Sequence, residues 1–249
     1  MKIFKKSLKK ILGSFGYEIQ KKDLSDNFEI LKKIINKNNN INIFDVGANE
    51  GRWIDRAINN FDNPVIHAFE PSEKEFNILK NKYSSIKNIT LNKCALGDNK
   101  EEKEFNINYK GSLSSFYDVY ESTNWFKRQQ NNKKLFDKNF TLKKEKVNIN
   151  TIDNYIQSKN IEIIDIIKID TQGYEPKVLE GALNSLKLKK IKSILVEIII
   201  SDIYKSNVSF FEIEKNLINN GYKLISLDDH GNLFNKTIFQ FNAIYALKS

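Results

Sequence analysis

Residues 41–46, 163–169 and 194–200 are short, nearly unbroken apolar runs, which is how strands covered on both faces read. Segments of helical periodicity fill the intervals between these and other β-rich runs. The pattern predicts a strand at 41–46, a helix at 52–60, a strand at 64–69, a helix at 73–83 and a strand at 89–95. Residues 103–109 and 143–150 alternate apolar and polar, like strands with one wet face. A helix is expected at 151–158, with Thr151 as its cap. A strand at 165–169 and a helix at 175–186 follow, the helix with Pro176 in its first turn, where the missing N–H costs nothing. A strand at 192–200 and a helix at 210–220, stopped by Gly221, come next. Strands at 222–227 and 238–247, around a turn at Asp228, Asp229, His230 and Gly231, close the chain as a hairpin at a sheet edge. Alternation of this kind predicts an α/β fold, with a mostly parallel sheet and helices on both faces. Ligands of such sheets bind beyond the carboxyl ends of the strands.

Composition narrows the class. The chain has 249 residues, enough to bury a sizeable core, with 40% apolar and 29% charged residues. A single cysteine, Cys94, excludes a disulfide framework and a zinc site built on paired cysteines. The two histidines, His67 and His230, are too far apart for a local pair. The longest apolar run, 194–200, is broken by Glu197 and is too short to cross a bilayer. The N-terminus lacks the apolar core of a secretory signal. A soluble, reduced, cytoplasmic protein is expected.

The formal charge of +9 is uneven. Residues 1–22 carry seven Lys and one Glu; residues 126–146 carry eight Lys or Arg against two acids. Each segment is therefore +6 and the rest of the chain −3, which argues against a dedicated nucleic-acid binder. In the first segment Ile3, Phe4, Leu8, Ile11, Leu12 and Phe15 recur at helical spacing among lysines. Such a helix packs on its own domain or lies on an anionic membrane surface, a peripheral contact through residues 1–16. The second segment is a solvated loop or steers an anionic, phosphate-bearing substrate. The organisation expected is a basic helical extension over 1–40 and a main domain over 41–249, with a basic insertion at about 110–146.

Chemistry is concentrated at strand ends. The first strand runs into Asp45, Val46, Gly47, Ala48, Asn49, Glu50 and Gly51, where glycine permits a tight turn. The second ends at Glu70 and Pro71, with Glu70 23 residues after Gly47. That is near the spacing at which an acidic residue takes the ribose hydroxyls of a nucleoside. The third passes Cys94 and Ala95, and its end would border the base. Lys168 and Asp170 share one side of the next strand's end, and Glu197 interrupts the following apolar run, so all three need partners or a ligand.

The succession IFDVGANEG, IHAFEPS, NKCALGD, IIKIDTQGYEPKVLEGA and ILVEI resembles the FkbM family of S-adenosylmethionine-dependent methyltransferases. GSLSS at 111–115 is similar to that family's small-and-serine loop, and VNINTID at 147–153 to its strand before a helix. The resemblance covers residues 41–200 and implies a seven-stranded Rossmann-like class I methyltransferase fold with an antiparallel last strand. It implies that Asp45, Gly47 and Ala48 contact the methionine part of the cofactor, and that Asn49 and Gly51 of the same turn also bind the cofactor. Glu70, followed by Pro71, would hold the ribose, Cys94 and Ala95 would border the adenine, and Asp170 would lie near the amine and the methyl group. Thr171 and Gln172 stand where the family more usually has Val-Glu.

The implied reaction is O-methylation of a sugar, nucleotide-sugar or glycan. The protein must align the acceptor oxygen and take its proton. Asp170 or Glu197 is the candidate base, with Lys168 orienting it or stabilising developing alkoxide. The same carboxylates could instead hold a divalent metal. His230 is a further candidate base; mid-strand His67 reads as structural. The alternative function is non-catalytic, a membrane-surface or scaffold protein that retains the fold.

Overall fold

A computed structural model describes residues 27–36, 40–131, 140–205, 210–228 and 240–247. Its strands are β1 (Asn42–Val46), β2 (Val65–Phe69), β3 (Ile89–Asn92), β4 (Ala95–Leu96), β5 (Glu101–Asn108), β6 (Thr141–Asn150), β7 (Ile164–Ile169), β8 (Ile191–Ile199), β9 (Tyr222–Asp228) and β10 (Gln240–Leu247). Its helices are α1 (Asn27–Ile35), α2 (Arg52–Asn60), α3 (Glu73–Tyr83), α4 (Asn124–Asn131), α5 (Ile152–Lys159), α6 (Glu175–Glu180), α7 (Leu183–Lys187) and α8 (Phe210–Asn219).

Seven strands form one sheet in the order β3-β2-β1-β7-β8-β10-β9. The pairs from β3 to β8 are parallel, and β10 runs antiparallel to β8 and β9. The last strand thus inserts inside the edge strand β9, and strand order reverses between β1 and β7. A crevice opens beyond the carboxyl ends at such a reversal.

Side-chain alternation sorts the core into two layers. Ile43, Ile66, Ile166, Leu195 and Ile244 pack with α1, α2 and α3. Phe44, Val46, Phe69, Ile167, Ile194 and Val196 pack with α5, α6, α7 and α8. Asp45 takes the first of these faces and lies opposite Lys168 in the β1–β7 register. Glu197, two residues after Leu195, shares that face and lies opposite Asn242. The apolar period is therefore broken by charge where the strands end. The helix α1 lies within the stretch read as an extension, and it buries Phe28, Leu31 and Ile35 in the core.

Two expectations are corrected. The strand expected at 89–95 stops at Asn92; Ala95 and Leu96 leave the main sheet and pair with β6, which also pairs with β5. This second sheet, β4-β6-β5, buries Phe105, Ile107 and Val147. The helix expected at 175–186 is broken into α6 and α7 at Gly181, where a Cβ would collide with the carbonyl oxygen of Gly97. Asp153 rescues the new helix start by accepting from the backbone N–H groups of Asn184 and Ser185, both at 2.9 Å. Thr151 caps α5 as expected, accepting from Asn154 N at 3.0 Å. The closing turn with His230 and the helical pattern in 1–16 lie outside the described residues.

Candidate active site

A cleft opens at the ends of β1, β2 and β7. Its polar edge is built on the turn after β1. Gly47 has φ 77°, and a Cβ there would collide with the Asp170 carbonyl, so only glycine lets the two loops touch. Gly47 N and Ala48 N both donate to Phe69 O at 3.0 Å, which ties the turn to β2. Asn49, with φ 48°, then turns its own N–H to Glu70 Oε2 at 2.8 Å. Ser72 N donates to Glu70 Oε1 at 2.9 Å. The carboxylate is fixed at the cleft wall with acceptor capacity to spare for a pair of hydroxyls. Leu96, Phe105, Phe116 and Tyr174 give the same cleft an apolar lining; the last two rings lie 4.5 Å apart. Aromatic side chains and a fixed carboxylate in one cleft suit an adenosine.

Burial pushes the Glu70 carboxyl up to about 7, against the opposing pull of the Ser72 and Asn49 amides. Ribose hydroxyls donate more strongly to a carboxylate than to a neutral carboxyl. S-Adenosylhomocysteine affinity is therefore expected to rise about tenfold between roughly pH 6 and pH 8, as Glu70 loses its proton. Calorimetry across that range should show this rise, and Glu70→Gln should flatten it and weaken binding at the alkaline end.

The second group of side chains lies on the sheet face picked out by the register. Lys168 is buried, with Nζ 3.1 Å from Asp45 Oδ1 and 3.6 Å from Asp170 Oδ2. It also donates to Gly47 O at 2.8 Å. Burial opposes its charge, but Asp45 and Asp170 outweigh that and hold the ammonium above its usual range.

The loop after β7 is shaped by Glu175, a fully buried residue. It accepts from Thr171 N at 2.7 Å and from Gly173 N at 3.0 Å, and burial raises its own carboxyl to about 7. This staple sets Gln172 at φ 55°. Gln172 Nε2 donates to Asp170 Oδ1 at 2.9 Å and to Glu197 Oε2 at 2.7 Å. Only the NH₂ end of an amide can satisfy two carboxylates at once. Its Oε1 lies 3.1 Å from the Tyr204 hydroxyl, and its backbone O accepts from Ser115 Oγ at 2.8 Å. Gln240 Nε2 donates to the other Glu197 oxygen at 3.0 Å. Burial first, then the charge of Asp170, raises the Glu197 carboxyl well above its ordinary range. The Gln172 amide thus ties the Asp170 and Glu197 carboxyls together.

Residues 45–224 match the family described as "Methyltransferase FkbM domain". The chain belongs to the FkbM methyltransferase family. This FkbM methyltransferase uses S-adenosylmethionine, and the cleft fits that cofactor through Glu70, the turn at Gly47 and the aromatic wall. A search of curated proteins finds no match. Among solved structures, the chain is similar to precorrin-6Y C5,15-methyltransferase from Geobacter metallireducens, at 12% identity over 92% of each chain, TM-score 0.46. It is also similar to a TehB-like S-adenosylmethionine-dependent methyltransferase from Corynebacterium glutamicum, at 9% identity over 96% of this chain and 94% of that one, TM-score 0.42. Neither likeness bears on the acceptor.

Of the residues singled out in the sequence, Gly47, Asn49, Glu70, Pro71, Ala95 and Asp170 line the cleft. Ala48, Lys168 and Glu197 line an adjoining compartment of about 1180 Å³, which shares Gly47, Asn49 and Asp170 with the first. Asp45, Gly51 and Cys94 line neither. Asp45 lies beneath the turn as the partner of Lys168, and Gly51 packs against Tyr83, whose hydroxyl donates to its carbonyl at 2.9 Å. Cys94 packs against the core, where burial raises its thiol to about 11, so it is no nucleophile. His67 is structural: its Nδ1 lies 2.9 Å from the Tyr155 hydroxyl, and burial lowers it to about 4. Phe105, Phe116, Tyr174 and Tyr204 were not singled out as site residues; an aromatic residue in sequence carries no sign that separates a cleft wall from a core.

Asp170 and Glu197 do not make a cation site as they stand. Among the described residues no third His, Cys, Asp or Glu joins them, and the Gln172 amide donors face both carboxylates. A calcium or magnesium ion wants six or more oxygen ligands.

Proposed function

We propose that this methyltransferase acts on a hydroxyl oxygen of a sugar, nucleotide-sugar or glycan. The observation that carries the proposal is the carboxyl pair Asp170 and Glu197, tied together by the Gln172 amide; Asp170 lines both the cofactor cleft and the larger compartment. S-Adenosylmethionine, when bound, supplies an electrophilic methyl group on sulfur. A sugar hydroxyl is too weak an acid to lose its proton unaided, so a base within reach matters more than for an amine acceptor. In this account Glu70 grips the ribose and Asp170 faces the acceptor hydroxyl. Asp170 takes the proton as the oxygen–carbon bond forms. Glu197 and the Gln172 amide keep Asp170 aimed, and the Lys168 ammonium stabilises the negative charge that builds at the site.

A cytoplasmic location goes with such acceptors and is part of the proposal. The alternative, a membrane-surface or scaffold role through residues 1–16, falls outside the described residues; no described helix is long and apolar enough to cross a membrane. The test is incubation with ¹³C-methyl-labelled S-adenosylmethionine and a panel of sugars and nucleotide-sugars. A methyl ether among the products supports the proposal. Transfer confined to nitrogen or carbon acceptors contradicts it.

A further inference from the structure

The larger compartment has an uneven chemistry. Asp170, Glu197 and Lys168 line it near the strand ends, and Arg52, Arg56, Lys74 and Lys110 line it from α2, α3 and the loop after β5. This is not a by-product of a basic body, because the chain outside residues 1–22 and 126–146 is net −3. Of 40 Lys and Arg residues only three are Arg, at positions 52, 56 and 128. Two of those three stand one helical turn apart on α2, on the wall of this one compartment. Lysine is a point charge, whereas guanidinium is a planar fork that grips an oxyanion through two N–H groups. A chain that otherwise uses lysine departs from it here.

The supporting packing is specific. Arg56 lies over the Phe28 ring, with Cζ 4.8 Å from its centroid, and Phe28 stacks on Trp53 at 5.2 Å. Arg52 is 87% exposed, and its contact with Glu50 is long, at 3.5 Å. The nearby Glu75 carboxylate is tied to the Ser72 hydroxyl and to Lys74. A neutral wall completes the compartment: Asn27 is 5% exposed and its Oδ1 has no hydrogen-bond partner among the described residues, and Asn242 lies near Glu197. An unpartnered buried acceptor calls for a donor such as a ligand hydroxyl. By contrast, three lysines of the basic run, Lys143, Lys144 and Lys146, are ion-paired to Glu145, Glu104 and Glu102 within their own sheet.

We propose that Arg52 and Arg56 bind the phosphate of a phosphate-bearing hydroxyl acceptor, whose hydroxyl group reaches Asp170 and Glu197. The proposal rests on the O-methyltransferase reading and adds the acceptor's anionic group. The same fork would also suit the α-carboxylate of the cofactor's methionine part, and the test separates the two.

Inorganic phosphate is titrated into protein saturated with S-adenosylhomocysteine, for the unaltered chain and for R52Q/R56Q. Phosphate should bind the unaltered complex, and the double variant should weaken it about tenfold or more. Affinities for S-adenosylhomocysteine and for methylthioadenosine, which lacks the amino acid, should stay within about twofold. Loss of S-adenosylhomocysteine affinity with methylthioadenosine affinity retained would assign the arginines to the cofactor carboxylate and overturn the proposal. So would phosphate that competes with S-adenosylhomocysteine, fails to bind, or binds both proteins equally. If S-adenosylhomocysteine does not bind the unaltered chain, the cofactor reading fails instead, and the same phosphate comparison on unloaded protein still decides this one. Arg52→Gln alone, at the exposed position, serves if the double variant does not fold; about a threefold weakening is then expected.

Discussion

Asp170→Asn is expected to reduce kcat by about 10²–10⁴-fold while S-adenosylhomocysteine still binds, because general-base catalysis is worth about that much. The substitution keeps the shape of the side chain and removes its basicity. Glu197→Gln should act differently. It keeps a polar partner for the Gln172 amide and leaves Asp170 beside Lys168 at 3.6 Å. Turnover should survive, reduced far less than by Asp170→Asn, because the base itself is kept. A kcat unchanged by Asp170→Asn, or one cut as deeply by Glu197→Gln, would contradict these roles.

The largest stability effect should come from Lys168→Met. Asp45 is fully buried and its carboxyl faces Lys168 at 3.1 Å; burial pushes that carboxyl up, and the lysine is what opposes the push. Removing one partner of a buried pair typically costs about 3–5 kcal/mol, because the other is left charged and unpaired. Replacing both with apolar residues removes that penalty, so Lys168→Met with Asp45→Leu should recover most of the loss. Urea midpoints of the three proteins give the comparison. A single substitution costing under about 1 kcal/mol would show that the pair does not hold the turn at Gly47. A double variant no better than the single would show that the loss is packing and not charge.

How much of this was legible in the sequence depends on the range of the contact. The main sheet could be read because strands buried on both faces leave nearly continuous apolar runs, as in 163–169 and 194–200. The second sheet could not: β5 is exposed along its first half and buried along its second, so it looks like any half-wet strand, and its pairing with β6 spans a long insertion. Gly181 breaks a helical pattern only because the Gly97 carbonyl presses against it from a distant loop.

The site divides in the same way. Glu70 was readable from its spacing after Gly47, since a βαβ unit fixes where the second strand ends. Lys168 and Asp170 were placed on one side by strand period, but the dominant partner of Lys168 is Asp45, which only the β1–β7 register reveals. Gln172 stood out as a departure from the family pattern. Its role rests on Glu197, Tyr204 and Ser115, none of them close in the chain. Thr171 and Gln172 lie in a loop shaped by Glu175, whose burial the sequence does not show.

The most direct test of the whole account is calorimetric titration of the full chain with S-adenosylhomocysteine, beside Glu70→Ala. The cleft at Gly47, Glu70 and Tyr174 should bind one ligand per chain, and Glu70→Ala should weaken it by about 1–3 kcal/mol for each ribose hydrogen bond lost. Absence of binding at millimolar ligand, or equal affinity in the two proteins, would contradict the assignment of this cleft to the cofactor.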